Sequence, residues 1–230
     1  MSERFFLATP PRDGRGVLVG DEARHLARVM RCTVGDEVVV FDGGGRSWLA
    51  RVAVTGRDEV VLAIATELPE ERPRRASVTL AVALPKGERQ KWLVEKLTEL
   101  GVDELVPLVT RRGVAEATPA ARERLARGVI EACKQCGRDT LLRIAAPRGV
   151  DDVVRELIGD ALLVVADRDG VPLDAEAVGT RPVIALVGPE GGFTAEELAA
   201  VEAVGGRRVS LGPHVLRVET AAIALAARLA

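Results

Sequence analysis

The chain has 230 residues, 47% of them apolar and 29% charged, with a net charge of −2. This balance excludes the disordered and fibrous classes, and it leaves no bulk positive charge with which to hold nucleic acid. No apolar run reaches the roughly 20 residues a membrane helix needs. The opening Met-Ser-Glu-Arg-Phe-Phe lacks the basic-then-apolar layout of a secretion signal, so the expectation is a cytoplasmic protein with no membrane partner. Asn is absent, Gln occurs only at 90 and 135, and Lys only at 86, 91, 96 and 134. Loss of thermolabile amides suits a thermophile and equally a GC-rich genome.

Residues 1–67 read mainly as β structure, with Val-rich and partly alternating strands at Val17–Val19, Glu37–Asp42, Ser47–Val54 and Glu59–Ala65. One helix interrupts them, with Asp21 as its expected cap and Leu26, Val29 and Met30 as an apolar stripe. Arg24, Arg28 and Arg31 fall on another face at i, i+4 and i+7, either to grip phosphates or as a solvated face. Phe41-Asp-Gly-Gly-Gly45 mimics a dinucleotide-binding loop, but a strand rather than a helix follows it, so a hairpin turn is expected. Leu68–Arg75 is charged and broken by prolines, and reads as a linker.

From Ser77 strands alternate with helices, the pattern of a parallel sheet. Strands are expected at Ser77–Leu84, Leu105–Val109, Ala161–Ala166, Val183–Val187 and Arg207–Leu211, with a short segment around Leu141–Ile144. Helices are expected at Glu88–Leu100, Pro119–Cys136, Asp151–Leu157, Ala195–Val204 and Thr220–Leu229. Gly101 closes the first of these, and Thr194-Ala-Glu-Glu197 opens another as a capping box. Cys133 and Cys136 share a helix face with no further ligands at motif spacing, so small core residues rather than a metal site are expected.

Two stretches carry the chemistry: Gly188-Pro-Glu-Gly-Gly-Phe-Thr194 and Leu211-Gly-Pro-His-Val-Leu-Arg-Val-Glu-Thr220. Each follows a strand and leads into a helix. Glycine and proline at the carboxyl end of a strand let backbone approach a ligand closely, where open α/β sheets bind theirs. Neither stretch carries the Gly-Lys-Ser/Thr of a phosphate loop or the glycine spacing of a dinucleotide fold. Exposed backbone beside Leu186, Val187, Leu211 and Leu216 suits a nucleoside, and two such loops argue for one shared pocket.

With these residues on view, the chain resembles the RsmE family of small-subunit ribosomal RNA methyltransferases, within the SPOUT superfamily. The likeness runs through Arg4-Phe-Phe6, His25–Arg31 with Gly35-Asp36, Leu84-Pro-Lys-Gly87 and Glu95–Gly101. It continues through Glu131, Gln135 and Arg138, then Val187–Phe193 and Leu211–Thr220. His214 and Val218 depart from the family's usual Arg and Thr. The resemblance implies a small PUA-like β-barrel for RNA binding over residues 1–70, then a SPOUT-type α/β domain over 76–230 with a parallel sheet and a C-terminal trefoil knot. It implies S-adenosylmethionine as cofactor, a homodimer, no metal, and methylation of N3 of a uridine in 16S rRNA of the small ribosomal subunit (U1498 in the usual rRNA numbering).

Under that resemblance the cofactor site draws on Ala166, Leu186, Val187, Gly188, Glu190, Gly191, Gly192, Leu211, Gly212, Leu216 and Thr220. Arg217 is the expected stabiliser of a developing imide anion. Glu219 either takes the N3 proton, or orients Arg217, or caps the last helix. RNA contacts are expected from Arg4, Arg24, Arg28, Arg31, Lys86, Arg89 and Arg138. The loops alone also allow a knotted methyltransferase acting on a ribose hydroxyl or a tRNA base, or a non-catalytic RNA-binding protein.

Overall fold

The structure is a computed structural model that describes residues 3–69, 76–113, 117–156, 159–174 and 179–230. Most of the expected linker, with the last residue expected of the Asp151–Leu157 helix, lies outside the described residues. The chain forms two compact units, Met1–Pro73 with Ile130–Leu141, and Arg74–Val129 with Leu142–Ala230.

The first unit is built on a five-stranded sheet of β1 (Arg4–Phe6), β2 (Arg15–Val19), β3 (Glu37–Phe41), β4 (Ser47–Thr55) and β5 (Glu59–Glu67), in the order β1-β3-β4-β5-β2. β1 runs parallel to β3, and the other pairs are antiparallel. Two register shifts between β4 and β5 mark bulges, which bend a sheet around its core. That core holds Phe5, Leu7, Leu18, Val38, Val40, Trp48, Ala50 and Leu62. The triple glycine is a hairpin turn, with Phe41 opposite Ser47 and Asp42 Oδ1 accepting from the Gly44 and Arg46 amides at 2.8 and 3.2 Å.

The helix between β2 and β3 departs from expectation. α1 (Gly20–Arg24) runs into a π-helical turn at His25–Val29. Asp21 does not cap it: Val19 occupies the cap without a side-chain bond, and Asp21 pairs with Arg24 from the first turn. The wider turn carries an extra residue per coil. Leu26 therefore stays fully buried and Met30 packs on the core, while Val29 is turned out to 65% exposure. Arg31 lies beyond the helix with φ 56°, so Arg24, Arg28 and Arg31 do not form a straight stripe.

The end of α3 (Pro119–Cys136) completes this unit. Lys134 Nζ donates to Glu22 at 2.9 Å and to Glu131 at 3.2 Å, and sits 5.8 Å from the Phe5 ring centroid. Asp139 pairs with Arg4 and accepts from Ser47 Oγ at 2.8 Å. Cys133 is buried with its thiol pushed up to about 12, chiefly by burial, and both cysteines of the pair are free. Among the described residues no group of three or more His, Cys, Asp and Glu could hold a metal ion.

The second unit carries β6 (Val78–Val82), α2 (Glu88–Glu99), β7 (Glu104–Val109), β8 (Arg143–Ile144), β9 (Arg148–Gly149) and α4 (Val150–Glu156). β10 (Leu162–Pro172), β11 (Val183–Val187), α5 (Ala195–Ala203), β12 (Arg207–Ser210) and α6 (Val218–Leu229) follow. Its sheet runs β12-β10-β11-β6-β7-β8, with β9 also on β7, and every pairing is parallel. All five residues of β11 are buried, as a central strand of a parallel sheet requires. One face packs Ala81, Val106, Leu163 and Ile184 against Val150, Val153 and Val201 of α4 and α5, while α6 packs against α2, β6 and β11. The chain leaves β6 toward β7 on one side and leaves β11 toward β12 on the other. The switch point therefore lies between β6 and β11.

Candidate functional site

Both glycine-rich stretches lie where expected, after the carboxyl ends of β11 and β12. In the first, the Gly192 amide donates to Pro189 O at 2.8 Å and closes a turn. Gly192 has φ 68°, a conformation that penalises any residue with a Cβ. Arg112 Nη1 donates to Gly191 O at 2.7 Å and to Phe193 O at 3.4 Å. Beyond it, Thr194 and Glu197 form the anticipated capping box, and the second Glu197 oxygen accepts from the Arg111 amide at 2.9 Å. Arg112 and this second bond of Glu197 escape sequence reasoning. The one hint is that Arg111-Arg112 also sits at a strand's carboxyl end.

The second stretch is held more lightly. Ser210 Oγ donates to Gly212 O at 3.2 Å, and Gly212 to Val215 are exposed. Gly212 has φ 149° and a Cβ there would meet nothing within 4 Å, so its bare backbone faces open space. Leu186 and Val187 are buried, whereas Ala166, Leu211 and Leu216 are half-buried. Ala166 pairs with Val209 of β12.

Arg217 is exposed at the cap of α6, with extended backbone and no side-chain cap bond, and Thr220 is exposed as well. Glu219 behaves differently from its neighbour. Its side chain is 6% exposed, and Oε1 accepts from Arg89 Nη1 at 3.4 Å. Its Oε2 is buried without a hydrogen-bond partner among the described residues. Its ion-pair partner is thus Arg89 of α2, not Arg217. Arg89 also lies 3.7 Å from Glu190 Oε1, so one guanidinium stands between α6 and the first glycine loop.

Two cavities open beside these loops. One of about 410 Å³ is lined by Arg168, Pro172, Ser210, Leu211, Gly212 and Pro213, with Arg228. The other, of about 210 Å³, is lined by residues after β6, β7 and β11, including Lys86, Arg89 and Glu190. Leu211–Pro213 of the second loop line the larger cavity, and Pro189 and Glu190 of the first loop line the smaller.

In the first unit, Arg4 is turned inward: it pairs with Asp139 and its guanidinium carbon lies 5.3 Å from the Phe41 ring centroid. Arg24 pairs with Asp21 and Asp58, whereas Arg28 and Arg31 are exposed. Arg138 is half-buried.

The RNA methyltransferase domain family matches residues 71–230, and the RNA methyltransferase PUA domain family matches residues 18–65. Ribosomal RNA small subunit methyltransferase E from Synechocystis is 34% identical over 206 residues, covering 87% of this chain and 67% of that protein. The protein of the same name from Mycobacterium bovis is 32% identical over 231 residues, covering 95% and 87%. Among solved structures, ribosomal RNA small subunit methyltransferase E from Neisseria gonorrhoeae, bound to S-adenosyl methionine, superposes with a TM-score of 0.91. It is 27% identical, over 99% of this chain and 96% of that one. The parallel sheet with its strand-end glycine loops, preceded by a PUA domain, defines an RNA methyltransferase. Within that class the chain belongs to the ribosomal RNA small subunit methyltransferase E family, RsmE.

Proposed function

We propose that this chain is an S-adenosylmethionine-dependent methyltransferase acting on N3 of a uridine in 16S rRNA of the small ribosomal subunit, as a cytoplasmic homodimer with a trefoil-knotted C-terminal chain. One observation carries the reading: the strand-end glycine loops occur in a fold that matches, nearly end to end, a relative bound to S-adenosyl methionine.

The residues present fit that cofactor. The cavity of about 410 Å³ beside Ser210–Pro213 falls within the range of sites that take ligands of this size, about 300–1,000 Å³. Gly212 adds backbone with no side chain in the way. Leu186, Val187, Leu211 and Leu216 would supply apolar contact, and Gly188, Gly191 and Gly192 the main-chain donors and acceptors. Ala166 leaves room, and Glu190 and Thr220 would bind polar groups of the ligand. When bound, the cofactor supplies an electrophilic methyl group on a sulfonium centre.

The chain's own task is to place the target and manage its charge. Uridine N3 is a weak nucleophile until its proton leaves, so positioning and anion stabilisation supply most of the acceleration. Arg217, exposed at the foot of α6, would offer its guanidinium to the imide as negative charge develops. Glu219 is suited to a structural part, because its carboxylate is buried and engaged with Arg89. Arg24, Arg28 and Arg31 would meet phosphates from the first unit, with Lys86, Arg89 and Arg138 as further contacts. Arg4, already paired, would hold the barrel that presents them.

The test is to incubate the protein with methyl-labelled S-adenosylmethionine and small subunits lacking the modification, then map the labelled nucleoside. Label at N3 of one uridine in 16S rRNA is the expected result. Label on a ribose, or none from protein that binds the cofactor, overturns it.

A further inference from the structure

The smaller cavity occupies the place where open parallel sheets put their ligands, outside the carboxyl ends of the strands flanking the switch point between β6 and β11. At about 210 Å³ it is below the roughly 300 Å³ from which sites for larger ligands begin, so it suits a single planar base rather than the cofactor. Leu84, Pro85, Leu108 and Pro189 give it apolar walls, while Lys86, Arg89 and Glu190 supply two cationic donors and one carboxylate.

We infer that this cavity receives the uracil ring of the target nucleotide, with Lys86 and Arg89 donating to its two carbonyl oxygens and Glu190 accepting from N3–H. The inference rests on the uridine-N3 reading proposed above. It reassigns Lys86 and Arg89 from phosphates, and Glu190 from the cofactor, to the base. A base edge with two carbonyl acceptors around one N–H donor complements that set of groups. Cytidine and 3-methyluridine lack the N3–H, and each would leave the Glu190 carboxylate facing no donor. Arg89 is prepared for its part, since buried Glu219 holds one end of the guanidinium and leaves other N–H groups to turn toward the cavity.

Two buried polar atoms beside the cavity's lining point the same way. Glu219 Oε2 and Thr110 Oγ1 have no hydrogen-bond partner among the described residues, and both residues are more than nine-tenths buried. Glu219 is bonded to Arg89, and the Thr110 carbonyl accepts from the Gly113 amide at 3.2 Å; Arg89 and Gly113 both line the cavity. Buried groups short of a partner cluster where a ligand completes the bonding.

The experiment measures binding of uridine 5′-monophosphate, cytidine 5′-monophosphate and 3-methyluridine 5′-monophosphate by NMR titration. It uses the full chain saturated with S-adenosylhomocysteine, and cofactor affinity is measured separately by calorimetry. Uridine monophosphate is expected to bind about tenfold more tightly than either analogue, the worth of one charge-assisted hydrogen bond. Lys86→Ala should weaken it about fivefold, and Ala83→Leu, which fills the cavity, should abolish the preference for uridine. Cofactor affinity should stay the same in both. Equal binding of the three nucleotides, or no response to Lys86→Ala, overturns the inference. Should Ala83→Leu fail to fold, the exposed Lys86 variant decides alone. Loss of cofactor binding by the unsubstituted protein would defeat the methyltransferase reading itself. Normal N3 methylation by a folded Ala83→Leu protein would defeat only the cavity's assignment.

Discussion

The two glycine loops of the second unit are built from similar residues but held in different ways. The loop after β11 has a buried proline, a closed turn at Gly192, a guanidinium on two of its carbonyls and a capping box at its exit. The loop after β12 has one hydroxyl bond from Ser210 and four consecutive exposed residues from Gly212 to Val215. Binding to a preformed wall costs little ordering entropy, whereas a loosely held segment must lose freedom when it closes on a ligand. The first loop is therefore the fixed half of the site and the second the adjusting half. The residues proposed for chemistry, Arg217 above all, sit at the end of the adjusting half.

Four substitutions separate those halves. Arg217→Ala should have the largest effect, lowering turnover about a hundredfold, as loss of one anion-stabilising donor does elsewhere. Cofactor affinity by calorimetry should remain within about twofold, because a group acting on the developing charge contributes little to ground-state binding. Equal loss of both would move Arg217 from the chemistry to the cofactor. Gly212→Val should weaken cofactor binding about tenfold, since a β-branched residue at φ 149° carries roughly 1–3 kcal/mol of strain. Unchanged affinity would show that this backbone is not part of the site.

Glu197→Ala removes the reciprocal half of the capping box and leaves the Thr194 and Arg111 amides without their acceptor. It should cost about 1–2 kcal/mol and lower Tm by about 3–6 °C in a chain of this size. Arg112→Ala should have the smallest effect on stability, below about 1 kcal/mol, because the side chain is largely in solvent. Amide exchange at Gly191 and Gly192 should nevertheless quicken about threefold, and no change there would contradict the fixed-loop account.

What the sequence discloses follows the range of the interactions. The hairpin at Phe41–Ser47 and the capping box at Thr194–Glu197 are closed within a few residues, so local chemistry suffices to read them. The π-turn at His25–Val29 is not legible, since it trades the exposure of Val29 against core packing by Leu26 and Met30. β1 has three residues and pairs with β3 across more than thirty positions, too short to announce itself by pattern. β10 continues past Ala166 through charged residues to Pro172, because β12 supplies a second stretch of pairing after a bulge. The same holds at the site. Glycines at strand ends are visible locally, but the pairing of Glu219 with Arg89 joins residues 130 apart and emerges only from the packing of α6 on α2.

Hydrogen–deuterium exchange of the full chain with and without S-adenosylmethionine tests the site most directly. Protection is expected on both Gly188–Phe193 and Leu211–Arg217, with the larger gain on the second because it starts with fewer bonds. Protection confined to the Asp42–Gly45 turn of the barrel, with both strand-end loops unchanged, would contradict it.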